Sequence, residues 1–318
     1  MINRLQIDAY TFLGLEPGLS VLILGGVHGD EICGTKAINQ VIKLINNRKI
    51  NIKSGKITMI PVTNPLAARK KNRIGDRNLN RCFYPKKNPV DNEDKLNNIL
   101  CPLIKDYDVL LDLHSFKKGK KPFALIGKKI KKKVKHYPNF FTNEVELASW
   151  LGVDTVITNW TQTYNKGVKK RRAKNNISSP PFEFNFDEKY GNGTTEFARN
   201  NGLSALTLEC GQHSDPKAKD IGINAILSTL SHLNIIKENF KKRNHKQNFI
   251  KLFDVLDKHH SQDFFYGNWK NFDSAKKGTI IGKRFNGEKI IAPKDILLLF
   301  PSKNAEVGQE WIYFAELI

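Results

Sequence analysis

Long apolar runs are missing from this 318-residue chain. No stretch approaches the ~20 consecutive apolar residues needed to cross a bilayer, so no membrane-spanning segment is expected. Cysteine is scarce as well. Its four copies, Cys33, Cys82, Cys101 and Cys210, are scattered with no CxxC pair, which argues for a reduced, cytoplasmic protein. The opening stretch MINRLQIDAYTFLGLE contains acidic residues and no continuous apolar segment, so a signal peptide is not expected. Acidic residues are few overall: 31 against 52 lysines and arginines, a formal charge of +21.

That charge is concentrated in KKGKKPFALIGKKIKKKVKHYP (117–138), KGVKKRRAK (166–174) and KKRNHK (241–246). Such a field attracts nucleic acid, anionic membranes or small anionic substrates. A chain rich in lysine and asparagine throughout gives the same total from ordinary solvated surfaces, and that reading is preferred. Aromatic residues are not interleaved with the lysines as a base-stacking platform requires, so nucleic acid is disfavoured as a partner. The 117–138 segment is expected to be an exposed excursion.

What is present is a series of short apolar runs: VLILGG (21–26), ITMIPV (57–62), DVLLDLH (108–114), TVIT (155–158) and ALTLECG (205–211). Helical patterns separate them. Residues 31–46 place Ile38, Val41, Ile42 and Ile45 on one face, and EVELASWLG and IGINAILSTLSHLNII behave similarly. Buried strands alternating with amphipathic helices predict an α/β sheet with helices on both sides and an active site at the carboxyl ends of its strands. Near residue 240 the texture becomes polar. Beyond it lie short apolar runs punctuated by Gly, Pro and Asn-Gly, which predicts a small β-domain at 241–318 after a catalytic domain at 1–240.

The strand ends carry the chemistry. In SVLILGGVHGDEICG, an imidazole and a carboxylate follow a buried strand. With a helix starting near Asp30, His28 in the loop and Glu31 in the first helical turn face one point. Nitrogen and carboxylate oxygen suit zinc, and a hydrolytic site needs three protein ligands plus an open position. His114, directly after another strand, supplies the third, with Asp112 placed to brace it. A lone histidine after a strand is ordinarily a surface or hydrogen-bonded residue; two histidines and a carboxylate after two strands reverse that balance. The segment TNPLAARKKNRIGDRNLNRCFYP (63–85) is too polar for an amphipathic helix. Its Arg73, Asn80 and Arg81 form a cluster of donors suited to carboxylates, or else a solvated basic loop. In SALTLECG, Glu209 interrupts an apolar strand. It is either a general base or a strand-end residue turned to solvent.

Taken in order, GGVHGDE, DRNLNRCF, DLH and ALTLECG resemble the succinylglutamate desuccinylase/aspartoacylase family, within the wider zinc carboxypeptidase group. The similarity spans residues 20 to 212, with a weaker echo in the final strands. It implies a zinc-carboxypeptidase-like, mixed and mostly parallel sheet flanked by helices, with a small C-terminal β-domain. It implies one Zn2+ per chain on His28, Glu31 and His114, Glu209 as general base, and Arg73 polarising the scissile carbonyl. Asn80 and Arg81 match the pair that holds the substrate carboxylate. Arg199, ten residues before Glu209, matches an arginine that grips a second acidic group, or is a surface residue. The family ordinarily has Asp in a D-L-N-R run where this chain has Asn78, a neutral amide that does not brace neighbouring arginines as a carboxylate does. A substrate-binding tyrosine is unplaced between Tyr266 and Tyr313.

The expected activity is hydrolysis of a small anionic N-acyl amino acid, or a related carboxylate-bearing amide, by metal-activated water. A zinc metallocarboxypeptidase acting on a peptide or cell-wall fragment is the alternative. A nucleic-acid-binding protein on a degenerate hydrolase scaffold is the alternative of another class. A homo-oligomer is left open.

Overall fold

The chain begins with an edge strand, β1 (Tyr10–Leu13), and enters the core along β2 (Glu16–Gly25), which is buried from Leu19 onward. The structure, a computed structural model, describes residues 6–117, 119, 121–127, 132–133, 141–173, 186–242 and 246–318. Helix α1 (Ile32–Asn46) buries Cys33, Ala37, Ile38, Val41 and Ile42 on one stripe, the helical spacing expected of an amphipathic segment. Strand β3 (Ser54–Ile60) leads to the short helix α2 (Pro65–Lys70). Asn64 Oδ1 accepts the Ala67 N–H at 3.2 Å to start α2, and Lys71 in the left-handed region ends it. The 63–85 segment, too polar for an amphipathic helix, carries only this six-residue helix, in which Ala67 alone is buried. Helix α3 (Asn92–Ile104) starts from an Asp91 cap.

Strands β4 (Val109–Phe116), β5 (Phe123–Leu125), β6 (Lys132–Lys133) and β7 (Phe141–Thr142) follow, then α4 (Glu144–Trp150) and β8 (Thr155–Thr158). Next come α5 (Trp160–Ala173), α6 (Thr194–Asn200), β9 (Ser204–Gln212) and α7 (Lys217–His232). The chain forms two compact units, one from residues 1–156 with 192–247, the other from 157–191 with 248–318.

In the first unit the sheet order is β1-β3-β2-β4-β9-β5. The central four strands are parallel, with Ile23 beside Leu111 and Leu111 beside Leu206, while β1 and β5 run antiparallel to their neighbours. Val21, Leu22, Ile23 and Leu24 are at most 1% exposed; burial of each such side chain stabilises the fold by ~1.5–3 kcal/mol. Parallel alignment brings the carboxyl ends of β2, β4 and β9 to one edge.

The lysine-rich stretch is not wholly an excursion. Phe123 and Ala124 are fully buried, and β5 pairs with β9, Phe123 opposite Glu209. Residues 118, 120, 128–131 and 134–138 of that stretch lie outside the described residues.

The second unit is antiparallel. Its strands are β10 (Asn248–Asp257), β11 (Phe264–Phe265), β12 (Asp273–Ala275), β13 (Ile280–Lys283), β14 (Lys289–Ile291), β15 (Ile296–Leu299) and β16 (Glu310–Leu317). β16 pairs with β10 and β15, β15 with β12, and β13 with β11 and β14. Asn286-Gly287, with Gly287 at φ 92°, turns the chain between β13 and β14, as the Asn-Gly signal predicts. Trp311 is fully buried, stacked on Phe265 with ring centroids 4.2 Å apart. Among the described residues, no helix is long and apolar enough to cross a membrane.

Candidate metal centre

Three strand ends build the site. After β2 the chain turns at Gly26 (φ 60°) and passes over α2 at Gly29, where a Cβ would lie 2.0 Å from the Ala67 carbonyl carbon. Only glycine fits that crossing. The Glu31 N–H donates to the His28 carbonyl at 3.3 Å, a turn that points both side chains to one side. Helix α1 begins at Ile32, so Glu31 is its N-cap rather than a first-turn residue. Its carboxylate makes no capping bond because it faces the site.

Glu31 is 2% exposed and carries four donor contacts. On Oε1 these are His28 Nδ1 at 2.9 Å and Arg73 Nη1 at 2.7 Å. On Oε2 they are His114 Nδ1 at 2.8 Å and the Ser115 N–H at 3.0 Å. Each imidazole also presents its other nitrogen to an oxygen. His28 Nε2 lies 3.0 Å from Asn78 Oδ1, and His114 Nε2 lies 3.0 Å from Asp112 Oδ2. Thr194 Oγ1 donates to that same Asp112 oxygen.

This arrangement has more acceptors than protons. A neutral imidazole carries one N–H, yet each ring nitrogen of His28 and His114 faces an oxygen. A divalent cation between the two Nδ1 atoms and Glu31 removes the mismatch: the Nδ1 lone pairs and the carboxylate become ligands, the His28 Nε2–H serves Asn78, and the His114 Nε2–H faces Asp112 at ion-pair distance without an aligned hydrogen bond. The ligand atoms of His28, Glu31 and His114 all lie within 4.8 Å of one another. The residues fit such an ion.

Charge follows the same logic. Burial alone would raise the Glu31 carboxyl, but the two histidines hold it well below the usual carboxylate range. Burial lowers His28 from its ordinary value. Burial also acts to lower His114, but Asp112 and Glu31 outweigh it and hold His114 well above that value.

Glu209 stands beside His114 in the β4–β9 register. Its Oε2 is buried with no hydrogen-bond partner among the described residues. Burial first, and the Glu31 charge second, push the carboxyl up to about 8.

The 72–81 loop brings the donor cluster to the same edge. Asn78 Oδ1 accepts the Asn80 N–H at 2.9 Å as well as facing His28. Asn80 Oδ1 accepts the Thr194 N–H at 3.0 Å, and Arg81 Nη1 donates to the Asn80 carbonyl at 2.8 Å. Asn78 is thus a brace for a histidine, not a weak substitute for an arginine partner. The arginine that is braced here is Arg77, held by Asp91 at 2.8 Å and Asp94 at 2.6 Å. Glu93 accepts the Asp76 and Arg77 N–H groups, both at 3.1 Å.

Arg199 is not brought to this edge. Its Nη2 donates to the Ala205 carbonyl at 2.6 Å, its Nε to Glu144 at 3.0 Å, and its Nη1 to Glu196 at 3.0 Å. Ala205 is four residues before Glu209 along β9, about 13 Å at strand rise. In the second unit, Tyr313 is buried against Trp160, with ring centroids 4.9 Å apart, and Tyr266 is 56% exposed.

Three contributors carried no reading in the sequence. The Ser115 backbone N–H has no residue signature. Thr194 lies far from the motif it supports. His213, in ECGQHS directly after Glu209, had its position as the one available signal.

Comparison with known proteins bears on residues 17–157, which match the succinylglutamate desuccinylase/aspartoacylase catalytic domain. The resemblance read from the motifs therefore holds. His28, Glu31, Arg73, Asn80, Arg81 and His114 fall inside that segment; Glu209 and Arg199 fall outside it. No curated protein sequence matches the chain. Among solved structures, a succinylglutamate desuccinylase/aspartoacylase from Rhodobacter sphaeroides is similar with a TM-score of 0.69 and 17% identity, over 99% of this chain and 90% of that one. A succinylglutamate desuccinylase from Vibrio parahaemolyticus has a TM-score of 0.69 and 16% identity, over 98% and 92%. The product-bound ectoine utilization protein EutE (DoeB) from Ruegeria pomeroyi has a TM-score of 0.66 and 16% identity, over 96% and 88%. At these identities the likeness establishes the fold.

Proposed function

We propose that this chain, similar over residues 17–157 to succinylglutamate desuccinylase/aspartoacylase catalytic domains, is a zinc-dependent amide hydrolase acting on small anionic N-acyl amino acids. The observation that carries the reading is the convergence of two Nδ1 atoms on the two oxygens of Glu31, next to Glu209, whose Oε2 is buried without a hydrogen-bond partner among the described residues.

His28, Glu31 and His114 would hold the ion, one per chain. Bound there, zinc would supply Lewis acidity, bringing a water towards a pKa of ~7 and polarising a carbonyl. Glu209 would take the proton of the attacking water and pass it to the departing amine nitrogen as the C–N bond breaks. A cation on Glu31 offsets the second cause of the raised Glu209 value and favours the carboxylate that a base requires. Arg73 would turn its guanidinium to the carbonyl oxygen, where a well-placed donor is worth ~3–4 kcal/mol in the transition state. Asn80 and Arg81 would fix the substrate carboxylate and so the attack geometry. Arg199, tied to Glu144, Glu196 and Ala205, would act on the packing of α6 rather than on substrate.

Metal analysis with a substrate panel tests the proposal. The expected result is about one zinc per chain and chelator-sensitive, zinc-restored release of amino acid from N-acetyl or N-succinyl amino acids. Hydrolysis of C-terminal peptide substrates instead would assign the carboxypeptidase alternative. Absence of zinc and of zinc-restored hydrolysis would overturn the reading.

A further inference from the structure

His213 lies just past the end of β9, four residues after Glu209, and no step above uses it. Its backbone N–H donates to the Phe116 carbonyl at 3.0 Å, which ties it to the end of β4. Its Nδ1 lies 2.8 Å from Ser115 Oγ. Its Nε2 faces Asp30 Oδ2 at 3.9 Å, an ion-pair distance rather than a hydrogen bond. Both His213 Nε2 and Asp30 Oδ1 are buried without a hydrogen-bond partner among the described residues.

The neighbours of these three residues matter. Asp30 precedes Glu31, Ser115 follows His114, and His213 shares a strand end with Glu209. A contact among Asp30, Ser115 and His213 therefore ties together the three chain segments that carry two of the ligands and the base. The Asp30 carboxylate favours the tautomer with the proton on Nε2, which leaves Nδ1 to accept from the Ser115 hydroxyl. The Ser115 N–H, in turn, donates to Glu31 Oε2 at 3.0 Å.

We propose that His213 is a positioning residue for the metal centre: with Asp30 fixing its tautomer, it holds Ser115 and, through the Ser115 N–H, sets the orientation of the Glu31 carboxylate. The proposal rests on the zinc hydrolase reading. Asp30, Glu31 and His213 are also close enough to hold a cation directly. The Lys117 ammonium, 3.2 Å from Asp30 Oδ2, already brings positive charge to that corner, which favours the positioning role over a second ion.

The test measures zinc affinity of the full chain by competition with a chromogenic chelator, alongside urea midpoints of the metal-free proteins. The variants are His213→Ala, His213→Asn and Asp30→Asn. Loss of an outer partner of a metal site weakens metal affinity 10–100-fold, so His213→Ala is expected to lose about tenfold. His213→Asn, which keeps a polar atom near the Nδ1 position, is expected to recover most of that loss. Asp30→Asn is expected to lose less than His213→Ala. The metal-free midpoints are expected to stay near that of the parent.

Parental zinc affinity in His213→Ala would overturn the inference and leave the hydrolase reading standing. A loss that tracks a fall in the urea midpoint, without recovery in His213→Asn, would overturn it in favour of a merely structural contact. Two zinc ions per parent chain, falling to one in His213→Ala, would overturn it in favour of direct ligation. A parent that binds no zinc would overturn the hydrolase reading, and this inference with it.

Discussion

Two buried charged clusters in this molecule differ in how their protons are shared. In the second unit, Arg171 meets Asp257 through two parallel donors, Nε to Oδ2 at 2.8 Å and Nη2 to Oδ1 at 2.7 Å. Asp263 accepts the N–H groups of His259, His260 and Phe285 and the Arg284 guanidinium, at 2.7, 3.1, 2.9 and 3.0 Å. There both oxygens of Asp257 and of Asp263 meet donors, and Arg284 Nε is buried without an acceptor among the described residues. At the strand ends of the first unit, each ring nitrogen of two neighbouring imidazoles faces an oxygen, and Glu209 keeps one oxygen without a partner among the described residues. A buried cluster whose carboxylates all meet fixed donors holds a fold together; one with more acceptors than protons can take a cation.

The contrast can be broken by removing one group from each side. The largest effect is expected for Glu31→Ala, which removes the carboxylate both histidines share and should abolish zinc retention and turnover together, read by metal analysis and hydrolysis. Glu209→Gln should lower kcat by ~10²–10⁴-fold, the usual worth of a general base, with zinc still bound. On the matched side, Arg171→Met leaves Asp257 buried without its guanidinium and should cost about 3 kcal/mol in urea unfolding. The smallest effect is expected for Asp263→Asn, about 2 kcal/mol at neutral pH from weakened charge-assisted bonds.

The last of these carries a pH signature. Burial acts to raise the Asp263 carboxyl, but the Phe285, His259 and His260 N–H groups and Arg284 hold it below its ordinary 3.8. Its folded value is depressed, so its stabilising contribution is fully present above about pH 4 and fades as pH falls through the folded value. The gap between parent and Asp263→Asn in urea midpoint should therefore narrow in acid.

Much of the first unit is legible in the sequence because its strands are buried on both faces. Hydrophobic burial on both sides turns β2, β4 and β9 into nearly continuous apolar runs, and the chemical residues stand out where those runs end. Helix α1 is legible for the same reason, one stripe at a time. Helix α3 is not, since its inward residues include Glu93 and Asp94, which hold the 72–81 loop, and Asn97, which donates to the Cys82 carbonyl, in place of apolar side chains. Strand β5 is three residues long inside a run of lysines and has too little pattern to register. The grouping of 157–191 with 248–318 is a tertiary fact that a composition change near 240 does not contain. At the site, ligand-type side chains are visible by type, whereas the roles of Asn78, Thr194 and the Ser115 N–H depend on proximity across the fold. Arg199 shows the converse: its spacing from Glu209 suits a substrate contact, and its three nitrogens are committed elsewhere.

One amide oxygen, on Asn78, anchors both the ring of His28 and the main chain of Asn80. Ligand and loop are therefore geared to each other and cannot drift apart independently. An insertion between residues 72 and 81 would loosen the imidazole while every strand stayed intact. The length of that loop, more than the identity of its outward-facing residues, is what such a scaffold must preserve as its sequence changes.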